Sequence, residues 1–187
     1  MRKIVIGVMG PGEQATSHDL ENAYELGQLI AQSGWILLTG GRNVGVMDAA
    51  NQGAKSANGL TLGILPHHQQ NGVSEAVDIA IFTDMGNARN NINVLSSDVV
   101  IACGMGAGTA SEIALAVKAN KPVVLLNDDS DSETFFQKLS PENIYIVGNV
   151  KDAIATVNSI ICPSGASATP TGKTEGIADE ASFPAKS

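Results

Sequence analysis

Asp98 to Glu112 reads DVVIACGMGAGTASE, and the interpretation of this stretch decides the fold. A short apolar run, Val99-Val100-Ile101-Ala102-Cys103, stops at glycines on alternate positions, Gly104, Gly106 and Gly108. A helix-forming run, Ser111-Glu112-Ile113-Ala114-Leu115-Ala116, follows. Strand, glycine loop and helix in that order leave unpaired backbone N–H groups where the helix starts, with the positive end of its dipole behind them, so the junction suits an anion.

Outward from this stretch the same pattern recurs. Lys3 to Met9 predicts a buried first strand closed by Gly10-Pro11-Gly12, and Thr16 or Ser17 can cap the helix that follows. Trp35 to Thr39 predicts a second strand, with Gly40-Gly41-Arg42-Asn43-Val44-Gly45 and a helix from about Val46 to Ala57 behind it. Leu60 to Leu65 is the third strand, followed by a polar loop with His67 and His68, and Asp78 to Thr83 is the fourth. Asn87 to Ser97 predicts a helix with a buried stripe of Ala88, Ile92 and Leu95. After the fifth strand, Ala110 to Ala119 is a helix, Pro122 to Leu126 the sixth strand, Tyr145 to Val147 the seventh and Val150 to Ile160 the last helix.

This alternation predicts an α/β, Rossmann-like, doubly wound and mainly parallel sheet of about seven strands with helices on both faces. The composition agrees. Hydrophobic residues make up 43 % of the chain and aromatics only 4 %, so the core must be built from Val, Ile, Leu and Ala, as parallel sheets usually are. Residues 1–161 are expected to form one ligand-binding domain. From Cys162 to Ser187 the composition shifts to Pro, Ser, Thr, Gly and Ala, and a flexible or disordered tail is expected.

The formal net charge of −8 argues against nucleic acid or an acidic membrane surface as partner, since phosphate-backbone binding needs clustered Lys and Arg. An anionic small molecule must therefore meet a local positive site. No run reaches the roughly 18 apolar residues of a membrane span. The apolar run in MRKIVIGVMG lacks the length and cleavage pattern of a secretion signal, and the two cysteines form no disulfide framework, so a cytoplasmic location is expected.

Ligands of such sheets lie beyond the carboxyl ends of the strands, where strand order reverses. If the first and fifth strands are neighbours, three glycine loops meet there: Gly10-Pro11-Gly12, Gly40-Gly41-Arg42-Asn43, and Gly104-Met105-Gly106-Ala107-Gly108-Thr109. Of eleven basic residues only Arg42 and Arg89 fall at that edge. Arg89 is one turn from Asn93, so both can face one side, and Arg can grip an oxyanion through two parallel hydrogen bonds. Thr109-Ala110-Ser111-Glu112 matches a capping box, in which Glu112 returns to the backbone of the cap. Structural duty and catalysis by Glu112 both remain open. No metal site is expected: His67-His68 has no third ligand in view, and Asp128, Asp129, Asp131 and Glu133 read as a solvated acidic loop.

Three blocks carry a family resemblance: Gly40-Gly41-Arg42-Asn43-Val44-Gly45-Val46-Met47, Asn87-Ala88-Arg89, and Gly104-Met105-Gly106-Ala107-Gly108-Thr109-Ala110-Ser111-Glu112. Together they resemble the lysine-decarboxylase-like Rossmann superfamily, which includes the LONELY GUY (LOG) phosphoribohydrolases with their PGGxGTxxE signature. The resemblance covers about residues 1–160. Arg89 and Glu112 match the Arg and Glu implicated in hydrolysis there. This chain, however, has Gly104-Met105-Gly106 in place of Pro-Gly-Gly, and Arg42 in place of a third loop Gly. The GMGxGTxxEIA form is similar to another branch, the molybdenum cofactor (Moco) carrier proteins of algae and cyanobacteria.

That resemblance implies a homotetramer that binds and protects the anionic pyranopterin cofactor without catalysis and exchanges it with donor or molybdoenzyme partners. Its cofactor-binding residues would be Gly10, Pro11, Gly12, Gly40, Gly41, Arg42, Asn43, Arg89, Asn93, Gly104, Met105, Gly106, Ala107, Gly108, Thr109 and Glu112. The alternative it leaves is a LOG-type hydrolase of a nucleoside 5′-monophosphate with Arg89 and Glu112 catalytic. A third is a nucleotide-sensing module that binds without turnover.

Overall fold

A computed structural model describes residues 2–126 and 129–163 of the chain. Seven strands pair in the order β4-β3-β2-β1-β5-β6-β7, all parallel. They are β1 (Val5–Met9), β2 (Ile36–Thr39), β3 (Thr61–Leu65), β4 (Ile79–Phe82), β5 (Val99–Cys103), β6 (Val123–Leu126) and β7 (Ile144–Ile146). The chain starts in the middle of the sheet, winds out to β4, returns beside β1 as β5 and winds out to β7. The predicted doubly wound α/β fold is the observed one.

Period-two alternation in the strands separates two cores. Val99, Ile101 and Cys103 of β5 join Ile6, Val8 and Leu37 beneath α1 (Ser17–Gln32), α2 (Gly45–Ser56) and α6 (Val150–Ile161). Val100 and Ala102 face the other way, with Met9, Leu38, Ile64 and Leu125, beneath α3 (Asn90–Ser96), α4 (Ala107–Lys118) and α5 (Ser130–Leu139). Both layers are mainly aliphatic, as the scarcity of aromatics requires, with Phe136 joining the second. α1 starts at a capping box: Thr16 accepts from the Asp19 N–H at 3.1 Å, and Asp19 accepts from the Thr16 N–H at 2.9 Å.

Most element boundaries fall within one or two residues of expectation, and four local expectations are corrected. The run read as an acidic loop after β6 is helix α5, capped by Asp129, with Asp131 and Glu133 in its first turn, where carboxylates complement the helix dipole. Asp128 lies outside the described residues, as do 164–187, on which the tail expectation rests. The 87–97 segment is a 3₁₀ turn (Gly86–Arg89) followed by α3. Its buried side is Arg89, Asn90, Asn93 and Val94, while Leu95 is 53 % exposed. Periodicity assigns that face by hydrophobicity, but the fold turns Arg89 and Asn90 toward a cavity and Asn93 toward Glu112 of α4. Finally, α4 begins at Ala107, three residues before the expected Ala110.

Candidate functional site

The carboxyl ends of β1, β2 and β5 lie side by side because β1 pairs with both β2 and β5. Strand order reverses there. A cavity of about 340 Å³ opens at that edge, walled by the β1–α1 loop (Gly10, Pro11, Gly12, Glu13), the β2–α2 loop (Gly40, Arg42) with Met47 of α2, the 3₁₀ turn and α3 (Asn87, Arg89, Asn90), and α4 (Gly106 to Thr109, Glu112).

One wall is the start of α4. Gly106 is its N-cap and offers no side-chain cap. The first closing bond runs from the Ala110 N–H to the Gly106 carbonyl at 2.8 Å, so the amides of Ala107, Gly108 and Thr109 are not spent inside the helix. The space above them is open: a Cβ on Gly108 would meet nothing within 4 Å, and one on Gly106 only Pro11 Cβ at 3.6 Å.

Arg89 lines the same cavity, 8 % exposed, with Nε and Nη1 buried and without a hydrogen-bond partner. Burial pushes its pKa below the usual guanidinium value, the Glu112 charge opposes that shift, and the charge of Arg42 adds to it. An arginine stays protonated regardless, so the result is a fixed buried cation in need of acceptors. Gly40 makes room for it, since a Cβ there would collide with Arg89 Nη1 and the Met47 sulfur. Arg42 stands at the mouth, its side chain 39 % exposed and its Nη2 2.8 Å from Glu13 Oε1. The Glu13 carboxyl is held below its usual range, first by its own backbone N–H and then by Arg42.

Glu112 is 6 % exposed and accepts from Asn93 Nδ2 at Oε1 over 2.9 Å. Burial pushes its carboxyl up to about 7, against the Asn93 hydrogen bond and the Arg89 charge. The capping-box interpretation of Glu112 is thereby corrected: Thr109 is the third residue of the helix, and Glu112 bonds to α3 instead of to its own helix start.

A model of the SLOG cluster4 family matches residues 3–154. The chain belongs to this family. Among solved structures, the molybdenum cofactor binding protein of the phototrophic bacterium Rippkaea orientalis superposes with a TM-score of 0.86 at 65 % identity, over 87 % of this chain and 99 % of that one. The Moco carrier protein of Chlamydomonas reinhardtii does so with a TM-score of 0.81 at 52 % identity, over 86 % and 98 %. The cytokinin riboside 5′-monophosphate phosphoribohydrolase of Mycobacterium tuberculosis is 30 % identical over 156 residues, 72 % of this chain and 83 % of that protein.

Within this SLOG cluster4 chain, the cavity brings together Gly10, Pro11, Gly12, Gly40, Arg42, Arg89, Gly106, Ala107, Gly108, Thr109 and Glu112 from the residues singled out in the sequence. Five others lie off its wall. Gly104 adopts φ +74°, and a Cβ there would strike the Asp19 carboxylate, so this glycine serves the turn and the approach of α1. Gly41 backs onto Gly63 of β3, and Asn43 donates its N–H to the Gly72 carbonyl at 2.8 Å. Met105 packs on the second core, and Asn93 donates to Glu112. Sequence reasoning missed Glu13, Gln14, Met47, Asn87 and Asn90 on the wall. Asn87 and Met47 stood inside the family-like blocks, and Asn90 adjoins Arg89. Glu13 carried no signal, because a carboxylate beside an anion site is not expected from charge alone. His68 lies apart, with Nδ1 3.0 Å from Asp84 Oδ1 in an exposed pair. Cys103 is fully buried, its thiol pushed up to about 12 by burial and then by Asp19, and so is chemically inert.

Proposed function

We propose that this protein is a carrier that binds the molybdenum cofactor in the cavity and holds it without chemical change. The carrying observation is Arg89: a buried guanidinium with two unpartnered nitrogens, lining one cavity with an uncapped helix start, in a chain of net charge −8. Such a pair asks for an oxygen-rich anion, and the cofactor offers a phosphate and an anionic metal-oxo centre. The identity of 65 % to the Rippkaea cofactor-binding protein and 52 % to the Chlamydomonas carrier supports the same ligand.

The residues suit that cargo. The first-turn amides of α4 and the Arg42 guanidinium at the mouth would take its anionic groups, and Arg89 would neutralise charge that is buried with it. The open surface over Gly106 and Gly108 leaves room for a flat pterin. A volume of about 340 Å³ lies at the small end of ligand pockets, roughly 300–1,000 Å³, and suits one ligand of mononucleotide size. Residues 1–161 would serve as one binding domain. The carrier would work in the cytoplasm as a homotetramer, receiving the cofactor from a donor and releasing it to molybdoenzymes.

The test is cofactor release. Protein purified from cells that make the cofactor is heated, and the released cofactor is measured by reconstituting a cofactor-free molybdoenzyme. Reconstitution well above background is expected for the native chain. Arg42→Ala, an exposed change that spares the core, should lower it several-fold. Background activity from the native protein would sink the carrier role.

One observation favours a second reading. Glu112 lies in the cavity with a carboxyl near 7, beside Arg89, and both match the hydrolytic pair of the phosphoribohydrolases. A carboxylate there could stabilise positive charge developing on a ribose. Incubation with AMP or isopentenyl-AMP decides this. Free base released faster than by Glu112→Ala would establish hydrolysis, and equal rates would remove it.

A further inference from the structure

Glu112 stands where an anionic ligand meets a carboxylate. It lies just past the first turn of α4, and helical side chains lean toward the N-terminus of their helix. Its carboxyl group therefore borders the cavity beside the open amides of Ala107 to Thr109. An oxyanion that accepts from those amides and is drawn to the Arg89 guanidinium shares the cavity with Glu112. Two negative groups held together out of water cannot both stay ionised at ordinary cost, and one takes a proton.

The wiring of Glu112 permits this. Its Oε1 accepts from Asn93 Nδ2 at 2.9 Å, and no ion pair or hydrogen bond joins it to Arg89 among the described residues, so Oε2 is left to carry a proton. The other charged groups on the cavity wall are Arg89 of the 3₁₀ turn, Arg42 of the β2–α2 loop and Glu13 of the β1–α1 loop. Met9 of β1, Met47 of α2 and Asn90 and Asn93 of α3 bring no charge. With Glu112 ionised, two arginines and two glutamates cancel. With Glu112 neutral, the cavity carries one net positive charge.

We infer that the cavity is a proton-coupled anion site: the ligand binds together with one proton, which resides on Glu112 Oε2 and is donated to an oxygen of the ligand. This rests on the cavity being the anion site proposed above. The proton comes from solvent on binding and returns to solvent on release, and no bond of the ligand forms or breaks. Burial already holds the Glu112 carboxyl up at about 7, and a bound anion raises it further. Loading is thus favoured by falling pH and release by rising pH.

Sulfate is a suitable probe because it remains a dianion across the range. Its affinity for the full chain is measured by calorimetry from pH 6 to 9, in buffers of differing ionisation enthalpy. Above the Glu112 pKa the affinity should fall about tenfold per pH unit, as uptake of one proton requires, and the buffer dependence at pH 8 should report close to one proton taken up. Glu112→Gln, which keeps the shape and a hydrogen-bond donor, should bind sulfate with little dependence on pH. Arg42→Ala should weaken binding at every pH and leave the slope unchanged. A flat profile for the native chain, a slope that persists in Glu112→Gln, or no sulfate binding at pH 6 would each overturn the inference. Sulfate binding without proton uptake leaves the carrier role standing. Proton-coupled sulfate binding with no released cofactor removes the carrier role and leaves the coupling intact.

Discussion

Arg89 and Glu112 line one cavity without bonding to each other among the described residues, and each is buried there with a charge to be met. The demand of Arg89 is for acceptors, and it cannot shed its charge. Glu112 can, and its carboxyl is raised from 4.5 to about 7. A group whose folded pKa is raised contributes stability that is fully present below the unfolded pKa and is lost as pH rises through the folded value. For Glu112 that window runs from about 4.5 to about 7. At one pKa unit per 1.4 kcal/mol, the loss is on the order of 3 kcal/mol. Urea unfolding of the ligand-free protein should therefore show Glu112→Gln gaining stability relative to the native chain as pH rises from 4.5 to 8. A stability difference that stays constant over that range would show that the carboxyl is not raised.

At the scale of elements, α4 does the positioning. It carries the open amides in its first turn and Glu112 in its second, and Asn90 Nδ2 of α3 ties it at Ser111 Oγ over 3.0 Å, while Asn93 of α3 holds Glu112. The two helices form one unit, and a change in their packing would move the whole wall. α1 matters for a different reason. It starts after the β1–α1 loop that carries Gly12 and Glu13, and its capping box at Thr16 and Asp19 fixes where that loop ends. Thr16→Ala should cost about 1 kcal/mol, read as a lower midpoint in urea at unchanged slope, with sulfate or cofactor affinity reduced less than by Arg42→Ala. These elements show how far the sequence could be read. The strand before Gly104 and the helix after it follow from local pattern, whereas the helix start at Ala107 does not, because glycine run and helix overlap there. α5 was hidden because its first turn is acidic, and acidic residues suit both a helix start and a solvated loop.

The whole molecule gathers two arginines and two glutamates around one cavity and leaves apolar surface elsewhere. Ile79, Ile81 and Phe82 of β4 and Met85 beyond it are each 38–50 % exposed, and β4 is an edge strand. Exposed apolar edges invite pairing with another chain, which fits the proposed tetramer. Light scattering should give a mass about four times the 19.2 kDa of one chain. Ile81→Lys combined with Phe82→Lys should reduce that mass with secondary structure unchanged by circular dichroism. An unchanged mass would place the subunit contacts elsewhere. No helix among the described residues is long and apolar enough to cross a membrane.

Local pattern in the chain was enough to read the seven strands, the helices other than α5, the doubly wound class, the glycine loops and the placing of Arg42 and Arg89 at one edge. These are legible because periodicity, glycine and chain direction are local properties. Only the tertiary structure decided that β5 lies beside β1, so that three loops separated by dozens of residues wall one cavity. It also decided which side of α3 is buried, and that Glu112 serves the cavity and not its own helix cap. The reason is desolvation: what a charge costs, and what it then seeks, depends on atoms brought around it from distant parts of the chain.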